Sequence, residues 1–273
     1  MSVKILTGTS RFYALIGHPV AQVRSPTTIN GHLAEQGIDG AMVTFDLAPE
    51  AVAGFFDMLR GWQNCSGSGV TIPHKQAALA NCDEVSERAK RIGACNIVQR
   101  DASGRLIGDM TDGLGFLSAL AKHGVSVGGK RVVLVGAGGA GSAIAHAVAD
   151  NGAARLAIIE VDETRRNALI ASLRKHYPGV PVTEDAGDPA QIDILANATP
   201  MGMGADDPLP FPLDGIRPDT VVADVVTKPP MTQFLQIAKA KGCLIQQGNE
   251  MADAQLPIFL ERFGVTAPGT AKI

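Results

Sequence analysis

No stretch of this sequence stays apolar for the ~18 residues that a bilayer-crossing helix requires, so none of it is expected to span a membrane. The opening residues MSVKILTGTSRF lack the apolar core of a secretory signal, and no signal peptide is expected there. Cysteine is scarce: four residues, at 65, 82, 95 and 243, with no CxxC spacing among them. That pattern excludes a zinc ribbon and a disulfide frame and points to reduced thiols in a cytoplasmic protein. HExxH is missing too, and no close Cys/His pairing suggests a metal. Repeats, low-complexity tracts and blocks of like charge are also absent. A net charge of −3 gives no electrostatic case for nucleic acid or an anionic membrane. What remains is a globular protein whose expected partners are small molecules.

Hydrophobic side chains are plentiful, at 45% of 273 residues, and so is glycine, with 31. This length supports one large or two modest domains with a real core. Strand-like and helix-like runs alternate along it. FYALIG (12–17), AMVTFDL (41–47) and GVTI (69–72) read as strands, the last stopped by Pro73. SPTTINGHLAEQG (25–37) reads as a helix capped by its serine, and PEAVAGFFDMLRG (49–61) as another. ACNIVQ (94–99), DILANAT (193–199), TVVADVV (220–226) and CLIQQ (243–247) add strands; MTQFLQIAKAKG (231–242) and a last segment near 250–263 add helices. Such alternation predicts parallel sheets covered by helices, and a change of composition near residue 110 predicts two α/β lobes.

The clearest chemical signal is VGAGGAG. Gly136, Gly138 and Gly141 form G-x-G-x-x-G after the apolar run VVLV and before an alanine-rich helix. In that context the turn Gly136, Ala137, Gly138, Gly139, Ala140, Gly141 lets a pyrophosphate approach the backbone and meet helix N-terminal N–H groups. The following strand ends IIEVDETRR, where Glu160 or Asp162 could accept the adenosine ribose hydroxyls. An acidic residue there repels a 2′-phosphate and favours NAD, although Arg165 and Arg166 keep NADP open.

A dinucleotide site needs a reaction partner. Lys75 after a strand, Asn96, Asp109 and Asp112 in the first half, with Gln247 and Gln255 near the end, are the candidates. His18 sits in a Gly-His-Pro turn, and His74, beside Lys75, is expected to face out. Seven blocks stand in order: GHPVAQVRSP, GVTIPHK, GACNIV, GDMTDG, VGAGGAG, NATPMGM and GNEMADAQ. Together they resemble the shikimate dehydrogenase family across essentially the whole chain.

The resemblance implies an α/β, two-lobed fold: a Rossmann-type dinucleotide-binding domain (111–247) plus a smaller α/β substrate-binding domain made of 1–110 and 248–273. It implies reversible hydride transfer between shikimate, quinate or a related cyclic hydroxy acid and a nicotinamide cofactor, NAD favoured and NADP open. Lys75 and Asp112 match the catalytic pair; such a lysine holds the alcohol oxygen and exchanges its proton. Asn96 and Gln255 match groups that hold ring hydroxyls, Thr71 lies in the same site, and Ser25 matches one of two carboxylate-binding serines. Thr199 and Met201 lie in the NATPMGM loop near the nicotinamide end, and Gly248 opens the block GNEMADAQ. A homodimer is left open.

The pattern is broken at four places. Val23 stands where the family has the first serine of its clamp, Gly69 where it has an asparagine, and Thr227 where it has a tyrosine. Met110 replaces an asparagine. These losses suggest a substrate other than shikimate, since a site built around hydrogen bonds loses much when a partner is missing. They also allow an alternative: a cofactor-binding paralogue with little turnover, serving as a sensor or partner protein. A methylenetetrahydrofolate dehydrogenase fits GDMTDG and GNEMADAQ poorly.

Overall fold

The computed structural model describes residues 6–267 and 269. They fall into two compact units. One runs to Thr111 and resumes at Gln255; the other is Asp112–Ala254. The first unit contains β1 (Arg11–Gly17), α1 (Ser25–Glu35), β2 (Gly40–Asp46), α2 (Val52–Gly61), β3 (Cys65–Val70), α3 (Lys75–Ala80), β4 (Glu84–Val85), α4 (Glu87–Ile92), β5 (Ile97–Arg100) and β6 (Leu106–Asp109). The second contains α5 (Asp112–Lys122), β7 (Arg131–Val135), α6 (Gly139–Asp150), β8 (Arg155–Ile159), α7 (Glu163–His176), β9 (Val182–Thr183), β10 (Ile194–Asn197), β11 (Val221–Asp224), α8 (Gln233–Ala240), β12 (Leu244–Gln246) and α9 (Gly248–Ala254). A final helix, α10 (Leu256–Arg262), returns to the first unit.

The first unit is built on a six-stranded sheet in the order β2-β1-β3-β5-β6-β4. It is mixed, not parallel throughout as the alternating pattern predicts, because β5 runs antiparallel to both β3 and β6. For β5 and β6 the cause is a short connection: residues 101–105 are too few for a crossover and form a hairpin. The Asp101 carboxylate closes it by accepting the Ser103 and Arg105 N–H groups. The expected serine cap of α1 is also absent. Arg24 is the N-cap residue, and Ser25 is already the first residue of the helix, followed by a proline suited to that turn.

Tyr13, Leu15, Ile29, Leu33, Met42 and Ile97 form the first unit's core with Phe259 and Phe263 of the C-terminal segment. The Tyr13 and Phe263 rings lie 5.2 Å apart. A second tie is electrostatic. The Asp109 carboxylate, 2% exposed, accepts from Arg262 Nη2 at 2.7 Å, Arg88 Nε at 2.7 Å and Ser86 Oγ at 2.5 Å. Burial alone would raise its pKa, but Arg88, Ser86 and Arg262 outweigh that and hold it below the usual carboxylate range. Asp109 therefore locks β6, α4 and α10 together.

The second unit carries a six-stranded sheet in the order β12-β11-β10-β7-β8-β9, parallel throughout. Counted from β7, this is the doubly wound 3-2-1-4-5-6 order, with its switch point between β7 and β10. Such sheets bind ligands in the crevice outside the strands' carboxyl ends at that point. One face is filled by Phe116, Leu134, Ile144 and Leu156, and the other by Val133, Leu195, Val222 and Phe234.

The single helix read near 250–263 is two helices, because Pro257 in the first turn of α10 cannot continue an earlier helix. Residues 248–254 stay with the second unit, unlike the division drawn at 248 from the sequence. Met251 and Ala254 enter that unit's core beside Phe116, so α9 is fastened there. Among the described residues no helix is long and apolar enough to cross a membrane.

Candidate functional site

Within the first unit, the backbone gathers several of the sequence candidates at the end of β3. Val70 N–H donates to the Asn96 carbonyl at 2.7 Å, Thr71 N–H to Ile16 at 2.9 Å, and Cys95 N–H to the Lys75 carbonyl at 2.9 Å. Lys75 is thus tied to the residue before Asn96. It is half-buried and opens α3.

Asn96 is 3% exposed, and Gln255, at the start of α10, is 9% exposed. Asn96 Nδ2 donates to Gln255 Oε1 at 2.9 Å, while Asn96 Oδ1 accepts Thr111 N–H at 2.8 Å. Thr111 Oγ1 lies 2.8 Å from Gln255 Oε1. Two residues 159 apart in sequence are brought into one buried polar cluster. Thr111 was not singled out from the sequence, although it stands inside the block GDMTDG.

Other expected residues have different surroundings. His74 does not face out: it is 2% exposed and its Nε2–H donates to the Leu47 carbonyl at 2.7 Å. It anchors the turn before Lys75. Gly69 stands near the end of β3. A Cβ there would sit 3.2 Å from the Phe259 ring and 3.5 Å from Leu15, so the position points into the apolar core. Glycine at 69 is thus explained by packing against the ring of α10. Val23 packs against the same core, half-buried, and Ser25 is half-buried in the first turn of α1. The Thr71 methyl lies close over Gly17. Exposed His18 pairs with Asp46 at 2.6 Å.

In the second unit the glycine turn sits at the switch point. Gly136 has φ +102°, and a Cβ on it would lie 2.9 Å from Thr199 Cγ2 and 3.0 Å from the Ala198 carbonyl. A Cβ on Gly141 would strike the Gly136 carbonyl oxygen. The turn therefore closes only with glycine at both places. Gly138 caps α6, and a Cβ there would meet nothing within 4 Å. That open side, in front of the N–H groups of Gly139 and Ala140, fits a pyrophosphate.

At the end of β8, Glu160 Oε2 accepts the Ala137 N–H at 2.9 Å and Oε1 the Asp162 N–H at 3.0 Å. Burial pushes its pKa up, but these backbone donors and Arg165 outweigh it and hold Glu160 ionised. Asp162 caps α7 by accepting the Arg165 N–H at 3.0 Å, which lowers its pKa as well. Arg165 lies 3.2 Å from Asp162, and Arg166 3.0 Å from Glu184. Val161, between the two carboxylates, is 87% exposed.

Thr199 and Met201 lie in the loop after β10, which Asn197 holds by accepting the Thr199 N–H at 3.0 Å and donating to the Met201 carbonyl at 3.1 Å. Gly248 opens α9, and a side chain there would strike the Val225 and Val226 carbonyls. Thr227 is half-buried beyond the end of β11. Asp112, 5% exposed, opens α5 in this unit, whereas Lys75 belongs to the first. Among the described residues no group of three or more His, Cys, Asp or Glu is placed to hold a metal ion.

A doubly wound parallel sheet with a glycine turn at its switch point and an acidic residue after its second strand defines a dinucleotide-binding α/β protein. Comparison with known proteins makes the class specific. Residues 15–98 match the shikimate dehydrogenase substrate binding domain. The chain is 38% identical over 269 residues to the shikimate dehydrogenase (NADP(+)) of Rhodospirillum rubrum, covering 96% of this chain and 94% of that one. It resembles the quinate dehydrogenase of Corynebacterium glutamicum, solved in complex with NAD, with TM-score 0.84, 31% identity and 94% of each chain covered. The ligand-free 5-ketofructose reductase of Gluconobacter sp. strain CHM43 matches with TM-score 0.83, 32% identity and 94% of each chain covered. The chain belongs to the shikimate dehydrogenase family and is an NAD(P)-dependent oxidoreductase.

Proposed function

We propose that the protein catalyses the reversible, NAD-linked oxidation of a secondary alcohol on shikimate, quinate or a closely related cyclic hydroxy acid. The observation that carries this reading is the buried cluster of Asn96, Thr111 and Gln255, tied through Cys95 to Lys75. Buried amides at a strand end offer a substrate hydroxyl both donors and acceptors. The bound nicotinamide supplies the hydride acceptor. Lys75 is assigned to hold the alcohol oxygen and exchange its proton, with Asp112 as the partner carboxylate that the family resemblance assigns. Ser25, Thr71, Asn96 and Gln255 are assigned to the substrate, and residues 136–141, Thr199, Met201 and Gly248 to the cofactor.

NAD is proposed over NADP on charge. A 2′-phosphate brings roughly −1.5 to −2 charges toward the end of β8. It would meet the ionised Glu160 and Asp162, with the nearest guanidinium, Arg165, already committed to Asp162. The Rhodospirillum rubrum relative is named for NADP(+), so NADP is the competing outcome. We expect kcat/KM with NAD to exceed that with NADP by about tenfold or more, which is ~1.4 kcal/mol. Val161→Arg with Asp162→Ser should reverse the order. Equal efficiency with the two cofactors in the native protein would overturn the assignment.

A second reading is favoured by Val23, which packs on the apolar core where the resemblance places a carboxylate-binding serine. Together with Thr227 in place of a tyrosine, it suits an uncharged polyhydroxy ketone or alcohol, the chemistry named for the Gluconobacter enzyme. A panel of shikimate, quinate and uncharged ketoses decides between them. Val23→Ser should raise kcat/KM for a carboxylate substrate by about tenfold, the worth of one hydrogen bond to a charge, and leave uncharged substrates unchanged. No selective rise would exclude Val23 as the determinant.

A further inference from the structure

We infer that Asp224 is a positioning residue that sets the place of the cofactor's nicotinamide half, while the glycine turn and the end of β8 hold the adenosine diphosphate half. The inference rests on the reading of the second unit as the cofactor unit and names a further residue for it. Val135, Asn197 and Asp224 stand in register on three neighbouring strands at their carboxyl ends. Asp224 is 1% exposed. Its Oδ1 accepts from Asn197 Nδ2 at 3.0 Å and from Val226 N–H at 3.0 Å, and its Oδ2 accepts from Thr232 Oγ1 at 2.7 Å.

These contacts run onward. Asn197 donates its second amide hydrogen to the Met201 carbonyl, and its Oδ1 accepts both the Thr199 N–H and the Thr199 hydroxyl at 2.7 Å. Thr199 Oγ1 in turn accepts the Met201 N–H at 3.1 Å. The loop after β10 is thus hung on Asn197, and Asn197 on Asp224. Thr232, the other partner, caps α8 by accepting the Leu235 N–H at 3.3 Å.

The loop so held lies against the glycine turn, within van der Waals reach of Gly136 through Thr199 and Ala198. Among the described residues no cation pairs with Asp224, so burial of this carboxylate is repaid only by oriented neutral donors. Burial pushes its pKa up to about 6, the mark of a group kept at a cost. A mere core position would be served better by an apolar residue of similar volume.

Asp224→Asn keeps the volume, removes the charge and replaces one acceptor oxygen with a donor, so that either the Thr232 hydroxyl or the Asn197 and Val226 N–H groups lose their acceptor. Binding is measured with NADH and ADP-ribose, or with NADPH and 2′-phospho-ADP-ribose if the wild type prefers that pair. Asp224→Asn is expected to weaken the dinucleotide about tenfold, the loss of one charge-assisted hydrogen bond, and to leave the ADP-ribose affinity within about twofold. Thr232→Val, which keeps the carboxylate, should shift the same ratio by about threefold, and Thr232→Ser should leave it unchanged. Equal weakening of both ligands in Asp224→Asn, or an unchanged ratio in Thr232→Val, overturns the inference. A wild type that binds neither dinucleotide contradicts the cofactor reading itself.

Discussion

Replacing Lys75 by alanine is expected to lower turnover by about 10²–10⁴-fold, the range supplied by a positioned acid–base group. Cofactor affinity should stay within about twofold, because the glycine turn, Glu160 and the Asn197 loop all belong to the unit that Lys75 does not. The turn before Lys75 is fixed by His74 on the Leu47 carbonyl, and its carbonyl is bound by the N–H of Cys95. A side-chain truncation leaves both backbone restraints intact. The split between kcat and cofactor binding therefore separates a chemical role from a structural one. A Lys75→Ala enzyme that turns over at the native rate would assign the proton exchange to another group.

The largest effect on stability is expected at Asp109. Removing its charge by Asp109→Asn leaves Arg88 and Arg262, each more than a third exposed, facing an amide, and the loss of charge-assisted hydrogen bonds costs roughly 1.5–3 kcal/mol. Denaturant unfolding of the two proteins at neutral pH checks it; a loss below ~1 kcal/mol would contradict the lock. The sign with pH follows from the direction of the shift. The folded-state pKa of Asp109 is depressed, so its contribution is full above the unfolded value of about 4 and is lost as pH falls through the folded one. Asp224 acts oppositely. Its pKa is raised to about 6, so its contribution falls as pH climbs from about 4 to 6 and is constant above.

The second unit was the more legible in the sequence. Its strands are buried on both faces and stand out as apolar runs, and the G-x-G-x-x-G turn depends on local backbone geometry that glycine alone permits. Two-residue strands such as β4 and β9 carry no periodicity and were invisible. In the first unit the antiparallel pairing of β5 hides in a five-residue turn, which composition does not announce. His74 was misjudged for the same reason, and the packing of Gly69 was hidden likewise. Their surroundings are made by residues remote in the chain, Leu47 for one and Phe259 for the other. Asn96 and Gln255 were legible as members of the seven family blocks; Thr111 and Asn197 lie inside such blocks and Asp224 in the strand run TVVADVV, all without an obvious chemical role.

The most direct test is to incubate the purified protein with NAD and with NADP in the presence of shikimate, quinate and uncharged polyols at mildly alkaline pH, following formation of the reduced nicotinamide. The prediction is cofactor reduction with NAD by a cyclic hydroxy acid, abolished in Lys75→Ala. Binding of either dinucleotide without reduction by any alcohol in the panel would contradict it.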